Sequence, residues 1–293
     1  MLGGLVALLV LAGGWEIVLR APWSEPTDGA TAVLLHGGLT DDAPANSRTA
    51  VEDALAHIAA SEDPRVDGIE VDVVLTGDGV LVLHHDPWID PARCSGLPEG
   101  TLVRDVTVAV LRGAGCYGTE LLTLPALLEL LSSAPGVAVF LDVKIQAETR
   151  SREDTAAALT ATLGSWAGAN PLWIEVPDLE ALAQLGPPVR ERAQTLVSFP
   201  PFPTGTPYVL PAARTFFGVR LGLSRPTRLA DRGADGLVTH SALIPRRLLR
   251  QAQEAGLQTV VFPVNDLGED RAVCDEPYSA LITDAPAMGG CPD

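Results

Sequence analysis

Short apolar runs with strand character recur along the chain at intervals, mostly with helical stretches between them. Their cores lie near residues 33, 70, 140, 174, 197, 238, 261 and 282. Typical members are TAVLL at 31–35, VAVFLDV at 137–143, LWIEV at 172–176 and TLVSF at 195–199. They read as near-continuous Val, Ile and Leu, the composition of parallel strands covered on both faces. Between them, Arg48 to Ala60, Leu124 to Leu131, Arg152 to Trp166, Asp178 to Leu185 and Pro245 to Ala255 carry helical spacing. Eight strand-helix alternations in about 260 residues predict an α/β fold, a (β/α)8 TIM-type barrel. A doubly wound open sheet is the runner-up, but no G-x-G-x-x-G follows the first strand and no Gly-rich loop ends in Lys-Ser or Lys-Thr. The second strand opens into a hairpin, and a long irregular excursion follows from His85 to about Leu122. An excursion of that length usually serves function.

The hairpin, GIEVDVVLTGDGVLVLHHDP from Gly68 to Pro87, holds the most informative chemistry. Period-2 alternation places Glu70 and Asp72 on one face, Cα atoms roughly 6.6 Å apart, with Val71 and Val73 on the other. Two acids aimed at a core are costly unless something positive lies between them. A divalent cation meets that need. Thr76-Gly77-Asp78-Gly79 turns the chain, and Val80 to Leu83 returns it to His84, His85 and Asp86. Adjacent residues on a strand face opposite ways, so one of the two imidazoles points to the acids. His85, beside Asp86, is the candidate, and His84 the structural neighbour. His36 ends the first strand and is followed by Gly37-Gly38, where backbone can approach a ligand. Asp142 ends the third barrel strand, with Lys144 two residues on and on the same face. The chain has nineteen Arg and this one Lys, which suggests that a compact ammonium is required at that point.

A net charge of −17 excludes a nucleic-acid partner and adsorption to anionic lipid through a basic patch. A phosphate-bearing small molecule, free or lipid-derived, remains compatible if its counter-charge is local. No protein partner is inferred. Residues 1–22 form an apolar signal or anchor segment, interrupted within 2–19 only by Glu16, ahead of one domain over 23–293. A buried first helix is the alternative. Cys94 and Cys116 flank one loop and Cys274 and Cys291 another, without metal-knuckle spacing. Two sequential disulfides are expected, and both they and the leader point to an extracytoplasmic location, secreted or anchored. Residues 200–211, PPFPTGTPYVLP, are a candidate lid.

Together, His36-Gly37-Gly38, Pro44-Ala45-Asn46-Ser47, Glu70-Val71-Asp72, Thr76-Gly77-Asp78-Gly79, His85-Asp86-Pro87, Asp142-Val143-Lys144, Val264-Asn265 and Thr283-Asp284-Ala285-Pro286 resemble the glycerophosphodiester phosphodiesterase family. The resemblance spans roughly residues 31–287. It implies a barrel that hydrolyses glycerophosphodiesters to glycerol 3-phosphate and an alcohol, with one divalent cation. It further implies that Glu70, Asp72 and Asp142 hold the metal, that His36 and His85 are the acid/base pair, and that Lys144 and Asn46 bind phosphate or substrate. Carboxylate ligands favour Mg²⁺ or Ca²⁺ over zinc. Trp88, His240 and Phe262 are candidates to line the pocket. Three positions depart from the family pattern: Gly37 stands for an Arg, Ala45 for a Glu, and Phe262-Pro263 replaces an expected Trp. Arg93, Arg104 and Arg220 are possible substitutes for the missing Arg. Two alternatives stay open, the first resting on the apolar leader and the Pro-rich stretch, the second on Gly37 and Ala45. One is phospholipase-D-like action on lysophospholipid or sphingomyelin. The other is a catalytically impaired barrel that binds phosphodiesters without turning them over.

Overall fold

The computed structural model describes residues 31–40, 42–60, 66–89, 94, 96–116, 120–145, 149–199, 225–241, 246–265 and 278–285. The leader, the Pro-rich stretch at 200–211, Cys274, Cys291, Arg93 and Arg220 lie outside these residues. Among the described residues, no helix is long and apolar enough to cross a membrane.

Among the described residues, nine strands form one sheet: β1 (Ala32–His36), β2 (Gly68–Leu75), β3 (Leu81–Leu83), β4 (Ala138–Val143), β5 (Leu172–Val176), β6 (Gln194–Ser198), β7 (Gly236–His240), β8 (Gln258–Phe262) and β9 (Ala280–Thr283). Eight of them pair in parallel in the order β1-β9-β8-β7-β6-β5-β4-β2, and β1 pairs with β2 to close the ring. Only β3 is antiparallel, an outward extension of β2 with Val74 opposite Val82. The expected eight-stranded α/β barrel is therefore the observed fold.

Alternation sorts the side chains. Val33, Leu35, Val71, Val139, Leu141, Ile174 and Val197 face outward into a large apolar layer under the helices. Those helices include α1 (Arg48–Ala60), α3 (Leu124–Ser132) and α4 (Thr149–Gly164). Helix α3 starts where the sequence signals it: Thr123 Oγ1 accepts from the Ala126 N–H, and Pro125 stands in the first turn. Facing inward, Leu34, Phe140, Leu196, Val238, Val260 and Ile282 plug the barrel. Such a plug leaves polar groups to the two rims, and barrels of this kind place their chemistry at the strands' C-terminal ends.

The excursion after the hairpin is more regular than its sequence suggests. It contains a 3₁₀ turn at Val103–Asp105 and a short helix, α2 (Val108–Gly113), whose Thr107 cap accepts from the Val110 N–H. Ile89, Cys94, Val103, Leu111, Cys116 and Leu121 pack with Val74 and Val82 of the hairpin into a separate apolar cluster. Cys94 and Cys116 are disulfide-bonded inside it, as expected. Two further short helices, Pro187–Arg192 and Pro226–Ala230, were not foreseen; each is too brief to establish a helical period.

Candidate active site

Almost every barrel strand ends in an inward polar or aromatic residue at the C-terminal rim: His36 on β1, Glu70 and Asp72 on β2, Asp142 on β4, Glu175 on β5, Ser198 on β6, His240 on β7 and Phe262 on β8. Register brings them level: His36 pairs with Glu70, Asp72 with Asp142, Asp142 with Glu175, and His240 with Phe262.

Glu70, Asp72 and Asp142 converge so that one oxygen from each lies within 4.8 Å of the others. Glu70 and Asp72 are each only 3% exposed, too deep for water to solvate their charges. The counter-charge beside them is the Lys144 ammonium, 2.9 Å from Asp72 Oδ1 and hydrogen-bonded to Asp142 Oδ2. Burial pushes Glu70 well above the usual carboxylate range, and Asp72 and Asp142 push it further. Asp142 is also raised by burial, against the pull of Lys144. For Asp72, burial is outweighed by Lys144, His85 and Asn46, which hold it below its ordinary value. In turn, the two aspartates overcome burial at Lys144 and keep it firmly protonated. Three acids thus face one ammonium, leaving a formal −2 in a buried cleft. Hard oxygen donors with an unmet charge of that size fit a divalent cation.

A backbone crosspiece sets the acids. The Gly37 N–H donates to the Glu70 carbonyl at 2.9 Å and to Glu70 Oε2 at 3.1 Å, while the Gly37 carbonyl accepts from the Asn46 N–H at 2.8 Å. Asn46 adopts φ +66°, which an asparagine tolerates better than most residues. Its amide donates to Asp72 Oδ2 at 2.7 Å, and its Oδ1 accepts from the Asp72 N–H at 2.9 Å. Asn46, expected from the sequence to bind phosphate or substrate, turns both ends of its amide onto Asp72 and so positions that carboxylate. Gly37 has φ +67°, and a Cβ added there would stand 2.6 Å from the Ala45 Cβ. Two of the three departures from the family pattern, Gly37 and Ala45, thus adjoin one another.

Imidazoles stand on either flank. His36 Nδ1 lies 2.6 Å from Asp284 Oδ1, and its Nε2 lies 3.9 Å from Glu70 Oε2. Asp284 is held by Asn265, whose amide donates to Oδ2 at 2.7 Å and whose Oδ1 accepts from the Asp284 N–H. His85 Nδ1 lies 3.0 Å from Asp86 Oδ1, and the ring is near enough to help hold Asp72 down and to oppose, without overcoming, the rise at Asp142. His84 is buried, its Nε2 at 3.1 Å from the Trp88 carbonyl, which is the structural role expected of it. Trp88 itself is 46% exposed on the loop beyond His85. His240 and Phe262 meet edge to face, ring centroids 5.6 Å apart, across the rim from the acids, and burial lowers the His240 pKa. Arg104 lines a separate cleft of about 410 Å³ that has Lys144 on its wall.

Two residues with clear geometry had no assigned role in the sequence. Asp284 lay inside a recognised motif, but its link to His36 joins residues 248 apart. Glu175 is buried, accepts from Ser198 Oγ at 2.5 Å, and is raised well above the carboxylate range by burial and by Asp142. Counting by twos from Trp173 in LWIEV would have placed it on the inner face.

Residues 36–181 match the profile of the Glycerophosphoryl diester phosphodiesterase family. A comparison with curated proteins finds no match. Solved structures share the fold at low identity. A phosphodiesterase of Oleispira antarctica, in complex with its product sn-glycerol-3-phosphate, is 20% identical with TM-score 0.66, covering 88% of this chain and 95% of its own. A glycerophosphodiester phosphodiesterase of Parabacteroides distasonis is 19% identical with TM-score 0.65, at 89% and 95% coverage. That of Thermotoga maritima is 19% identical with TM-score 0.62, at 89% and 98%. With the barrel, the acid cluster and the flanking imidazoles in place, the profile match assigns this chain to the glycerophosphodiester phosphodiesterase family, whose members are phosphoric diester hydrolases.

Proposed function

We propose that this chain hydrolyses glycerophosphodiesters to glycerol 3-phosphate and an alcohol, using one divalent cation held by Glu70, Asp72 and Asp142. The observation that carries the reading is the convergence of those three carboxylates within 4.8 Å at the barrel's rim. The Oleispira relative's bound product supports the substrate class. When bound, the cation neutralises charge on a non-bridging phosphate oxygen. The chain's residues do the rest. Glu70, Asp72, Asp142, Lys144 and a divalent ion sum formally to zero, so the ion would remove most of the repulsion between these three acids and an incoming phosphodiester anion. Lys144 stands beside the acids as a further partner for phosphate.

In-line displacement needs a proton acceptor on one side of phosphorus and a donor on the other. His36 and His85 occupy opposite flanks. A carboxylate at each Nδ1, Asp284 and Asp86 respectively, fixes the tautomer that leaves Nε2 facing the reaction. One imidazole takes the proton of the glycerol's neighbouring hydroxyl as that oxygen bonds to phosphorus. Its opposite protonates the departing alkoxide. Water then opens the cyclic phosphate, with the two roles exchanged. The apolar stretch at 2–19 and the Cys94–Cys116 bond support a site of action outside the cytoplasm.

The test is glycerol 3-phosphate release from glycerophosphocholine, with and without chelator. Chelator-sensitive release is expected, abolished in Glu70→Ala and Asp72→Ala. Activity confined to lysophospholipid or sphingomyelin would favour the phospholipase-D-like reading instead. No turnover of either, with retained binding, would mark an impaired barrel.

A further inference from the structure

Glu175 belongs to none of the motifs that carry the family resemblance, yet it occupies the rim of the barrel beside a proposed metal ligand. It is the Cα register partner of Asp142, one strand further round, and only 4% exposed. Ser198 at the end of β6 donates to Oε1 at 2.5 Å. Among the described residues, no Arg or Lys forms an ion pair with it. A buried acid with a neutral hydroxyl for its partner and another carboxylate next door weakens the fold. A glutamine would keep the shape and the Ser198 bond without that cost. An acid retained in such a place needs a charge-based reason, and the cation proposed above supplies one.

We propose that Glu175 is a fourth carboxylate of the divalent-cation centre, acting from its outer edge on β5 and oriented there by Ser198. The inference rests on the metal-dependent reading. Glu175 stands outside the group of three whose oxygens approach within 4.8 Å, so it acts through its charge and through its neighbour Asp142, not as one of the three central ligands. With it, the buried acids number four against one ammonium, a formal −3 that a divalent ion reduces to −1. Outer partners of metal ligands commonly contribute about 10–100-fold to metal affinity. Glu175→Gln should therefore weaken cation binding while leaving the fold intact.

The experiment is calorimetric titration of Ca²⁺, and separately Mg²⁺, into the chelator-stripped full chain. Glu175→Gln should bind at least about 10-fold more weakly than wild type. Thermal unfolding of the stripped variant should come no lower than that of wild type, because a like-charged buried acid has been removed. Ser198→Ala, which keeps the charge and frees its orientation, should show a smaller loss of affinity. Glu175→Gln affinity within twofold of a wild type that binds the cation overturns this inference alone. A wild type that binds neither ion overturns it together with the metal-dependent reading. If Glu175→Gln fails to fold, an unchanged affinity in Ser198→Ala overturns the proposal by itself, and a weakened one supports it.

Discussion

Replacing Lys144 with Met tests how the acid cluster is balanced. The substitution keeps most of the side chain's length and removes its charge. Lys144 Nζ meets Asp72 Oδ1 at 2.9 Å and hydrogen-bonds Asp142 Oδ2. With it gone, the formal charge on the three-acid group moves from −2 to −3 when no cation is bound. Removing one partner of a buried ion pair costs about 3–5 kcal/mol. The Lys144 and Asp142 side chains are 24% and 22% exposed, so some solvation remains and the lower end, about 3 kcal/mol, is the better figure. At about 2–4 °C per kcal/mol, the metal-free variant should unfold about 6–12 °C below wild type. Saturating Ca²⁺ or Mg²⁺ should narrow that gap, since a bound cation replaces the missing positive charge. Thermal unfolding of both proteins in chelator and in excess cation reads both quantities. A variant as stable as wild type in chelator would refute the charge argument, and so would a gap that cation leaves unchanged.

Two other expectations follow from the same geometry. In chelator, Glu70 and Glu175 have folded-state pKa values raised above the ordinary 4.5. The folded form then keeps protons that the unfolded form has released. Their contribution to stability is complete below about pH 4.5 and declines as pH rises through the folded values. A cation selects the ionised forms, so the gain in unfolding temperature on adding metal should widen from pH 5 to pH 8; a gain that is flat or shrinks with pH contradicts this. The second concerns the excursion. Cys94 and Cys116 lie 22 residues apart, and closing such a loop is worth about 3 kcal/mol on the chain-entropy model. Cys94→Ser with Cys116→Ser should accelerate proteolytic cleavage between residues 86 and 122 well before the barrel strands are cut. Equal cleavage rates would show that the apolar cluster holds the excursion without its bond.

The barrel was legible because parallel strands buried on both faces announce themselves as unbroken aliphatic runs. Glu70, Asp72 and Asp142 were legible for the opposite reason: an acid inside such a run conflicts with its surroundings, and period-2 spacing says which face it takes. Glu175 conflicts equally with LWIEV but stands alone on its strand, and Ser198, its partner, belongs to the next one. Nor could spacing foretell that Asn46 would turn both ends of its amide onto Asp72, because that depends on a positive φ set by the Gly37 crosspiece. Helix α2 escaped notice because six residues, VAVLRG, carry no reliable helical period.

Gly37 and Ala45 have a consequence for the chain's accessible variants. A side chain at 37 alone would collide with the methyl at 45 and demand a left-handed backbone that suits few residues. Position 37 is therefore held small from two sides, by its own backbone and by its neighbour at 45. An Arg at 37 would require the turn itself to relax, because any residue at 45 except glycine keeps the Cβ that stands in the way.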